Sequence, residues 1–239
     1  PRILSAQAGM HRFVWDLRIA SPASAHHEYP ISAIPHDTPR GPFGPAVVPG
    51  MYTVKLEVGA RSFAQPLEIK MDPRVKATSA DLTAQFQIAS QICDAMNAGY
   101  AGLEQVRLVR QQIAALDSNA PKGALADALA KLDQEAAELE GSAPILGKMP
   151  QQASFAKLNA QAGQLLDIVD GADAAPTIAA RAAFEGVQKS LGTVLKNWAA
   201  VKAQSIPALN EELRKAGLST IDPSKPPAPA EDSGANDEP

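Results

Sequence analysis

The chain has 239 residues, of which 45% are hydrophobic but only 5% aromatic, and its formal net charge is −4. This length allows one or two domains, and the alanine-rich apolar content suits helices better than a large aromatic core. No part of the chain carries the concentrated positive charge that nucleic-acid binding requires. No apolar run approaches the ~20 residues of a membrane span.

The single cysteine, Cys93, excludes an internal disulfide and any cysteine-rich metal site. It falls on the apolar face of a predicted helix, so we expect it to be a small buried hydrophobic residue. The sequence opens with Pro1-Arg2-Ile3 and contains no signal peptide, so we expect a fragment or a processed product.

The first 77 residues predict a partial Ig-like β-sandwich. Residues 11–18 alternate between apolar and polar, which places Phe13, Trp15 and Leu17 on one face of a strand. We therefore expect Trp15 to be part of a core rather than a platform for a ligand.

Two further alternating runs, 52–58 and 63–69, flank a tight turn at Gly59-Ala60 and predict a β-hairpin. Pro66 cannot donate to a ladder, so its strand is expected to lie at an edge or to carry a bulge. Three strands are fewer than the about seven of an Ig-like module. We therefore expect missing strands upstream of residue 1 and an exposed edge that invites association.

Residues 22–49 predict a long extended loop, because they carry seven prolines and little periodicity. A loop of this length is typically functional or faces a partner. It contains a possible set of metal ligands, namely His26, His27, Glu28, His36 and Asp37. Adjacent histidines in such a loop lack the i,i+4 geometry that a helix imposes, so a solvated loop is the favoured interpretation.

Residues 78–221 predict an elongated antiparallel up-down helical bundle. Apolar seams of 4-3-4-3 spacing indicate four helices, with seams at 82–116, 125–139, 155–169 and 184–198. Ser79 or Thr78 can cap the first helix, and Pro176-Thr177 is expected to open the fourth. Helices one and four are expected to run about 38 and 30 residues and the other two about 19 each. One end of the bundle would then contain only helices one and four. Phe86 is expected to meet Trp198 there if helix four is staggered, and Trp198 is otherwise expected to face residues 96–103 of helix one.

Pro207 is expected to break the fourth helix and to be followed by a short helix that ends at Gly217. Residues 222–239 are rich in proline and acidic residues and predict a disordered tail. The predicted fold class is therefore α+β, with the β part at 1–77, the bundle at 78–221 and the tail at 222–239.

Several short motifs are spread over most of the chain. They are Gly9-Met10-His11-Arg12-Phe13-Val14-Trp15-Asp16-Leu17-Arg18, Gly44-Pro45 through Pro49-Gly50-Met51-Tyr52-Thr53-Val54, Gln65-Pro66-Leu67 to Asp72-Pro73-Arg74, Trp198, and Ile206-Pro207-Ala208-Leu209-Asn210. These residues resemble the C-terminal region of bacterial sortilin-like, BNR-repeat β-propeller proteins, which are often labelled sialidase-like or glycosyl hydrolases. The β part is also similar to the Ig-like module of flagellar hook-capping proteins. The resemblance implies an exported protein with a propeller upstream, and it carries no catalytic residue over to this region.

Other candidate residues have simpler structural interpretations. Trp15 and Tyr52 could stack on sugar rings, but both fall on the apolar faces of predicted strands. Asp16 has no second carboxylate at a known spacing, so a backbone bond or an arginine partner is favoured over a general acid. Glu104 and Arg107 predict a surface i,i+3 pair.

Ser154, Ser190 and Ser205 lack the His or Gly-x-Ser-x-Gly context of a nucleophile, and no glycine-rich phosphate loop is present. The sequence thus predicts no catalytic, cofactor-binding or metal-binding residue. It favours a non-catalytic accessory region that positions, caps or dimerises a propeller, or that mediates protein contacts. Two alternatives remain open: completion of a glycan-hydrolysing site on the upstream propeller, and a free-standing coiled-coil-like adaptor.

Overall fold

The computed structural model describes residues 5–27, 29, 40–117, 123–141 and 152–226. The fold is mixed α+β and mostly helical, which confirms the predicted class at this level. Its elements are the strands β1 (Gly50–Val58) and β2 (Arg61–Ile69), the helices α1 (Ser79–Asp117), α2 (Ala124–Glu140), α3 (Phe155–Asp170) and α4 (Ile178–Ala200), a π-helical turn (Val201–Ser205) and α5 (Ile206–Lys215).

The sequence signals at the helix starts are confirmed. The Thr78 hydroxyl oxygen accepts a hydrogen bond from the Asp81 amide at 3.2 Å, and the Asp81 carboxylate accepts from the Thr78 amide at 2.9 Å. This reciprocal pair satisfies amide groups that the first turn leaves without a partner. It also lowers the pKa of the Asp81 carboxyl, because Thr78 hydrogen-bonds to its charged form. Thr177 caps α4 in the same way, accepting from the Ala180 amide at 3.0 Å.

α1 runs the length of the bundle. α2 and α3 pack against it one after the other, both antiparallel to it. The C-terminal half of α1 pairs with α2, since Arg110 bonds to Asp133 of α2. The N-terminal half pairs with α3, since the Gln85 amide donates to the Val169 carbonyl oxygen at 2.7 Å. The chain therefore does not reverse between α2 and α3. Together they form one column that runs from the C-terminal to the N-terminal end of α1.

The predicted antiparallel packing of helices one and four is wrong, because α4 runs parallel to α1. Leu191 of α4 lies beside Gly99, and Trp198 donates from its ring nitrogen to Gln105 Oε1 at 2.9 Å. The residue numbers of the contacting positions therefore increase in the same direction along α1 and α4. The physical reason is the α2–α3 column, which returns the chain to the N-terminal end of α1 before α4 begins.

The predicted meeting of Phe86 with Trp198 is consequently also wrong. Trp198 is buried against α1 as expected, but its partner Gln105 lies about 28 Å further along the helix than Phe86, at 1.5 Å per residue. Phe86 is only half-buried. The bundle has three columns along its length, namely α1, α2 with α3, and α4 with α5, rather than four helices at one end and two at the other.

The predicted break near Pro207 is present as the π-helical turn, and the predicted short helix is α5, which ends two residues before Gly217. The helix widens into the π turn, where the Ile206 amide donates to the Val201 carbonyl five residues earlier. Pro207 lacks an amide hydrogen, and its ring would clash with the carbonyl four residues before it in a regular α-helix. The wider turn removes this conflict. Ser205 at the end of the turn donates to Glu135 of α2 at 2.9 Å, and α5 continues against α2.

The predicted disorder of residues 222–239 does not hold for residues 222–226. The Gln112 side-chain amide donates to the carbonyls of Asp222 and Lys225, each at 2.8 Å, and its oxygen accepts from the Asp222 amide. These bonds hold the segment against the end of α1. Residues 227–239 lie outside the described part of the chain.

The β part differs most from the prediction. The hairpin is confirmed, with β1 and β2 in regular antiparallel register and the turn at Gly59-Ala60. Residues 11–18 form no strand, and their one ladder contact is the bridge from Arg18 to Ala46. Leu17 adopts a left-handed φ of 59°, which ends the alternation. Within the described residues the expected partial Ig-like sandwich is thus a two-stranded ribbon.

Close packing between α1 and α3 gives a prediction about two glycines. A Cβ atom on Gly102 would lie 2.6 Å from the ring of the fully buried Phe155, whereas one on Gly186 of α4 would meet no atom of the described residues within 4 Å. We expect Gly102→Ala to lower the free energy of unfolding, because overpacking costs about 1–3 kcal/mol and outweighs the gain in helix propensity.

Gly186→Ala is the matched control and should raise the free energy of unfolding by up to about 1 kcal/mol. Urea denaturation followed by circular dichroism measures both values. Equal stability changes in the two variants would contradict the packing of α1 against Phe155.

Candidate interaction surface

The two-stranded ribbon exposes a continuous apolar face, which we call the ribbon face. Directly opposed residues of an antiparallel pair share a face, so the register assigns four pairs to it. They are Tyr52–Leu67, Val54–Gln65, Leu56–Phe63 and Val58–Arg61. Val54, Leu56, Val58 and Phe63 are between 45% and 57% exposed. The apolar side chains of the two alternating runs therefore face solvent.

The opposite face of the ribbon is more polar. It carries Thr53, Lys55 and Glu57 on β1, and Lys55 forms an ion pair with Glu57. Each of the two strands also leaves one edge without a ladder partner in the described residues. The ribbon thus combines an apolar face with two free edges, and both features favour association with another polypeptide.

Two aromatic residues form the root of the ribbon face. The rings of Trp15 and Tyr52 meet edge-to-face with centroids 6.0 Å apart. The Trp15 ring nitrogen donates to the Arg18 carbonyl at 2.7 Å, and the Tyr52 hydroxyl donates to the Val48 carbonyl at 2.6 Å. Trp15 is half-buried by these contacts, but Phe13 and Leu17 are 52% and 44% exposed. The expected common core of Phe13, Trp15 and Leu17 is therefore wrong.

A charged anchor fixes the root to the C-terminal end of α3. The Arg18 guanidinium forms an ion pair with Asp170 and donates to the Gly44 carbonyl at 2.8 Å. The Ala46 amide donates to the other carboxylate oxygen of Asp170 at 3.2 Å. Asp170 therefore connects both chain segments at the root to one helix end, which favours a fixed position for the ribbon on the bundle.

The segment that follows Arg18 is fastened to the groove between α1 and α3 by a buried polar side chain, Asn159. Its oxygen accepts from the Ala25 amide at 2.9 Å and from the Ser24 hydroxyl at 3.3 Å. Its nitrogen donates to the Ala23 and Met96 carbonyls at 3.1 and 3.2 Å. We call residues 18–27 the strap, since this network ties them along the bundle. Asn159 was not among the predicted site residues, although its polar side chain beside the apolar seam of α3 was the available signal.

The loop candidates for metal binding are only partly described. His26 and His27 precede the gap, and Glu28, His36 and Asp37 lie outside the described residues. Across the described ranges, no three His, Cys, Asp or Glu side chains gather at metal-binding distance. The candidate set therefore gains no geometric support from the described histidines.

Of the candidate serines, Ser154 is buried and its hydroxyl has no hydrogen-bond partner among the described residues, whereas Ser205 donates to Glu135. Asp16 accepts from the Arg18 amide at 3.2 Å, which agrees with the expected backbone bond. Cys93 is buried, and desolvation raises the pKa of its thiol to about 11. A neutral buried thiol is a poor nucleophile and metal ligand.

The predicted pair of Glu104 with Arg107 is confirmed at 3.2 Å, but it belongs to a larger network. Arg107 and Arg110 both reach Glu140 of α2, and Arg110 also contacts Asp133. Hydrogen bonds to Asp133 and then Glu140 raise the pKa of the Arg110 guanidinium further above its usual range. The network joins α1 to α2 and has a structural role.

Comparisons with protein-family models, curated proteins and solved structures find no match to this chain. No helix in the described ranges is both long and apolar enough to cross a membrane.

Proposed function

We propose that this chain is a non-catalytic accessory region that makes protein contacts through the ribbon face. In this proposal it belongs to an exported protein with an upstream β-propeller, as its motifs suggest. The bundle positions the ribbon relative to the partner, which is the propeller or another protein chain. The exposed apolar face of the ribbon is the observation that carries the proposal.

The low stability expected of an uncovered two-stranded ribbon supports this assignment. An isolated two-stranded hairpin is marginally stable in water and normally needs a further strand or a packed face. On the ribbon face, Trp15 packs against Tyr52 at the root. The apolar side chains nearer the tip, up to Val58, remain about half exposed. Covering them would stabilise the ribbon by removing apolar surface from water, at about 25 cal/mol per Å².

The helical part supplies a rigid support rather than a binding cleft. α1 alone has 39 residues, which corresponds to about 58 Å. Its two apolar clusters, centred on Val106 and on Ile92, are buried between the three columns. The Asp170 anchor ties the ribbon to this support, so a partner bound on the ribbon face would be held at a defined position.

Cysteine accessibility tests the proposal directly, because the native Cys93 is buried and neutral and gives little background. We expect Leu56→Cys to react readily with a maleimide in this chain. In the exported protein that includes the propeller, or with the partner bound, labelling should slow by about tenfold or more, since a covered thiol is inaccessible.

Thr53→Cys on the opposite face of β1 is the matched control and should react at the same rate in both contexts. Equally rapid labelling of Leu56→Cys in the short and the long protein, at every protein concentration, would show that nothing covers the ribbon face. That result would contradict the proposed function.

A further inference from the structure

We infer that a second copy of this chain occupies the ribbon face, ribbon against ribbon about a two-fold axis, with Arg61 of each copy beside Asp16 of the other. This inference rests on the proposed function and names the partner of the same surface. The resulting assembly would bring two accessory regions, and any domains attached to them, together as a pair.

The order of side chains along the ribbon face makes it self-complementary. Trp15 and Tyr52 lie at the root, the apolar side chains occupy the middle, and Arg61 lies at the tip opposite Val58. A two-fold axis through the middle places the tip of one ribbon over the root of the other. The same patch is then used by both copies, as in most homodimers.

The charges at the two ends fit this arrangement. No acidic side chain in the described part of the chain pairs with Arg61 at the tip. At the root, Asp16 is exposed and accepts a backbone amide bond from Arg18, while the carboxylate of Asp170 is occupied by the Arg18 guanidinium. In the antiparallel dimer, Arg61 of one copy would lie beside the Asp16 carboxylate of the other copy at each end of the apolar centre.

The size of the face indicates a weak dimer. Nine residues at about 3.3 Å each and two strands about 5 Å apart make a face of about 30 by 10 Å. Packing two such faces about 10 Å apart covers roughly 600 Å² in total, which is below the about 1,200 Å² at which stable specific interfaces begin. We therefore expect an affinity in the micromolar range rather than an obligate dimer.

Sedimentation equilibrium of this chain from about 5 to about 500 µM tests the inference. We expect a reversible monomer–dimer equilibrium that Leu56→Asp abolishes. Arg61→Asp alone and Asp16→Arg alone should each weaken the dimer by about tenfold or more, because each places like charges together twice. An equimolar mixture of the two variants should regain the affinity, because the mixed dimer restores both pairs.

Lys55→Glu, on the opposite face, is the control and should leave the affinity unchanged. A chain that stays monomeric at the highest concentration, or a mixture that does not regain affinity, would overturn the inference. The maleimide experiment separates this failure from that of the proposed function. Protection of Leu56→Cys that does not depend on concentration would retain a ribbon-face partner but exclude a second copy.

Discussion

Replacing Trp198 with alanine is expected to destabilise the protein by about 3–5 kcal/mol, the usual cost of truncating a large buried aromatic side chain. Trp198 is 2% exposed and is one of the largest fully buried side chains in the described residues. Its ring fills the interface where α4 packs beside α1, and its ring nitrogen donates to Gln105. Denaturation in urea, with helix content as the signal, measures the loss.

Two further variants locate the cause of that loss. Trp198→Phe keeps most of the packing, and Gln105 still accepts from the Lys202 ammonium group at 3.0 Å, so a smaller cost is expected. Ile178→Ala, at an 87% exposed position of the same helix, should change stability by less than about 0.5 kcal/mol. If Trp198→Ala were as mild as Ile178→Ala, the parallel packing of α4 on α1 would be wrong.

Replacing Asn159 with alanine is expected to cost about 2–4 kcal/mol, because it removes four hydrogen bonds and leaves buried groups without partners. The effect should concentrate in the strap. The Ala25 amide loses its acceptor, so its hydrogen exchange should accelerate more than that of amides in the middle of α2. Native-state exchange measured by NMR reports both groups of amides in one experiment.

Asn97→Ala is the matched control for this second prediction. Asn97 is exposed and accepts a single bond, from the Ala23 amide at 2.8 Å, so its loss should cost about 1 kcal/mol or less. A uniform rise in exchange across the bundle in Asn159→Ala would mean that the residue supports the core as a whole. Unchanged exchange at Ala25 would contradict the strap.

Local features of this protein followed directly from its sequence. The cap at Thr78, the start of α4 after Thr177 and the hairpin turn at Gly59 were all readable, because each depends on a few adjacent residues. The apolar seam of α1 was also readable, since Met96, Val106 and Ile113 are buried as expected. In these cases the interaction that decides the structure lies within one or two turns of chain.

The tertiary structure decided the direction of α4, the burial of Asn159 and the exposure of the ribbon face. A helical period identifies the side of a helix that will be buried, but it does not identify the neighbour or its direction. The orientation of α4 depends on whether the chain reverses after α2, and this depends on how α2 and α3 share the length of α1. Likewise, alternation in 52–58 marks an apolar face, but only the absence of a covering sheet among the described residues leaves that face exposed, because burial depends on partners distant in sequence.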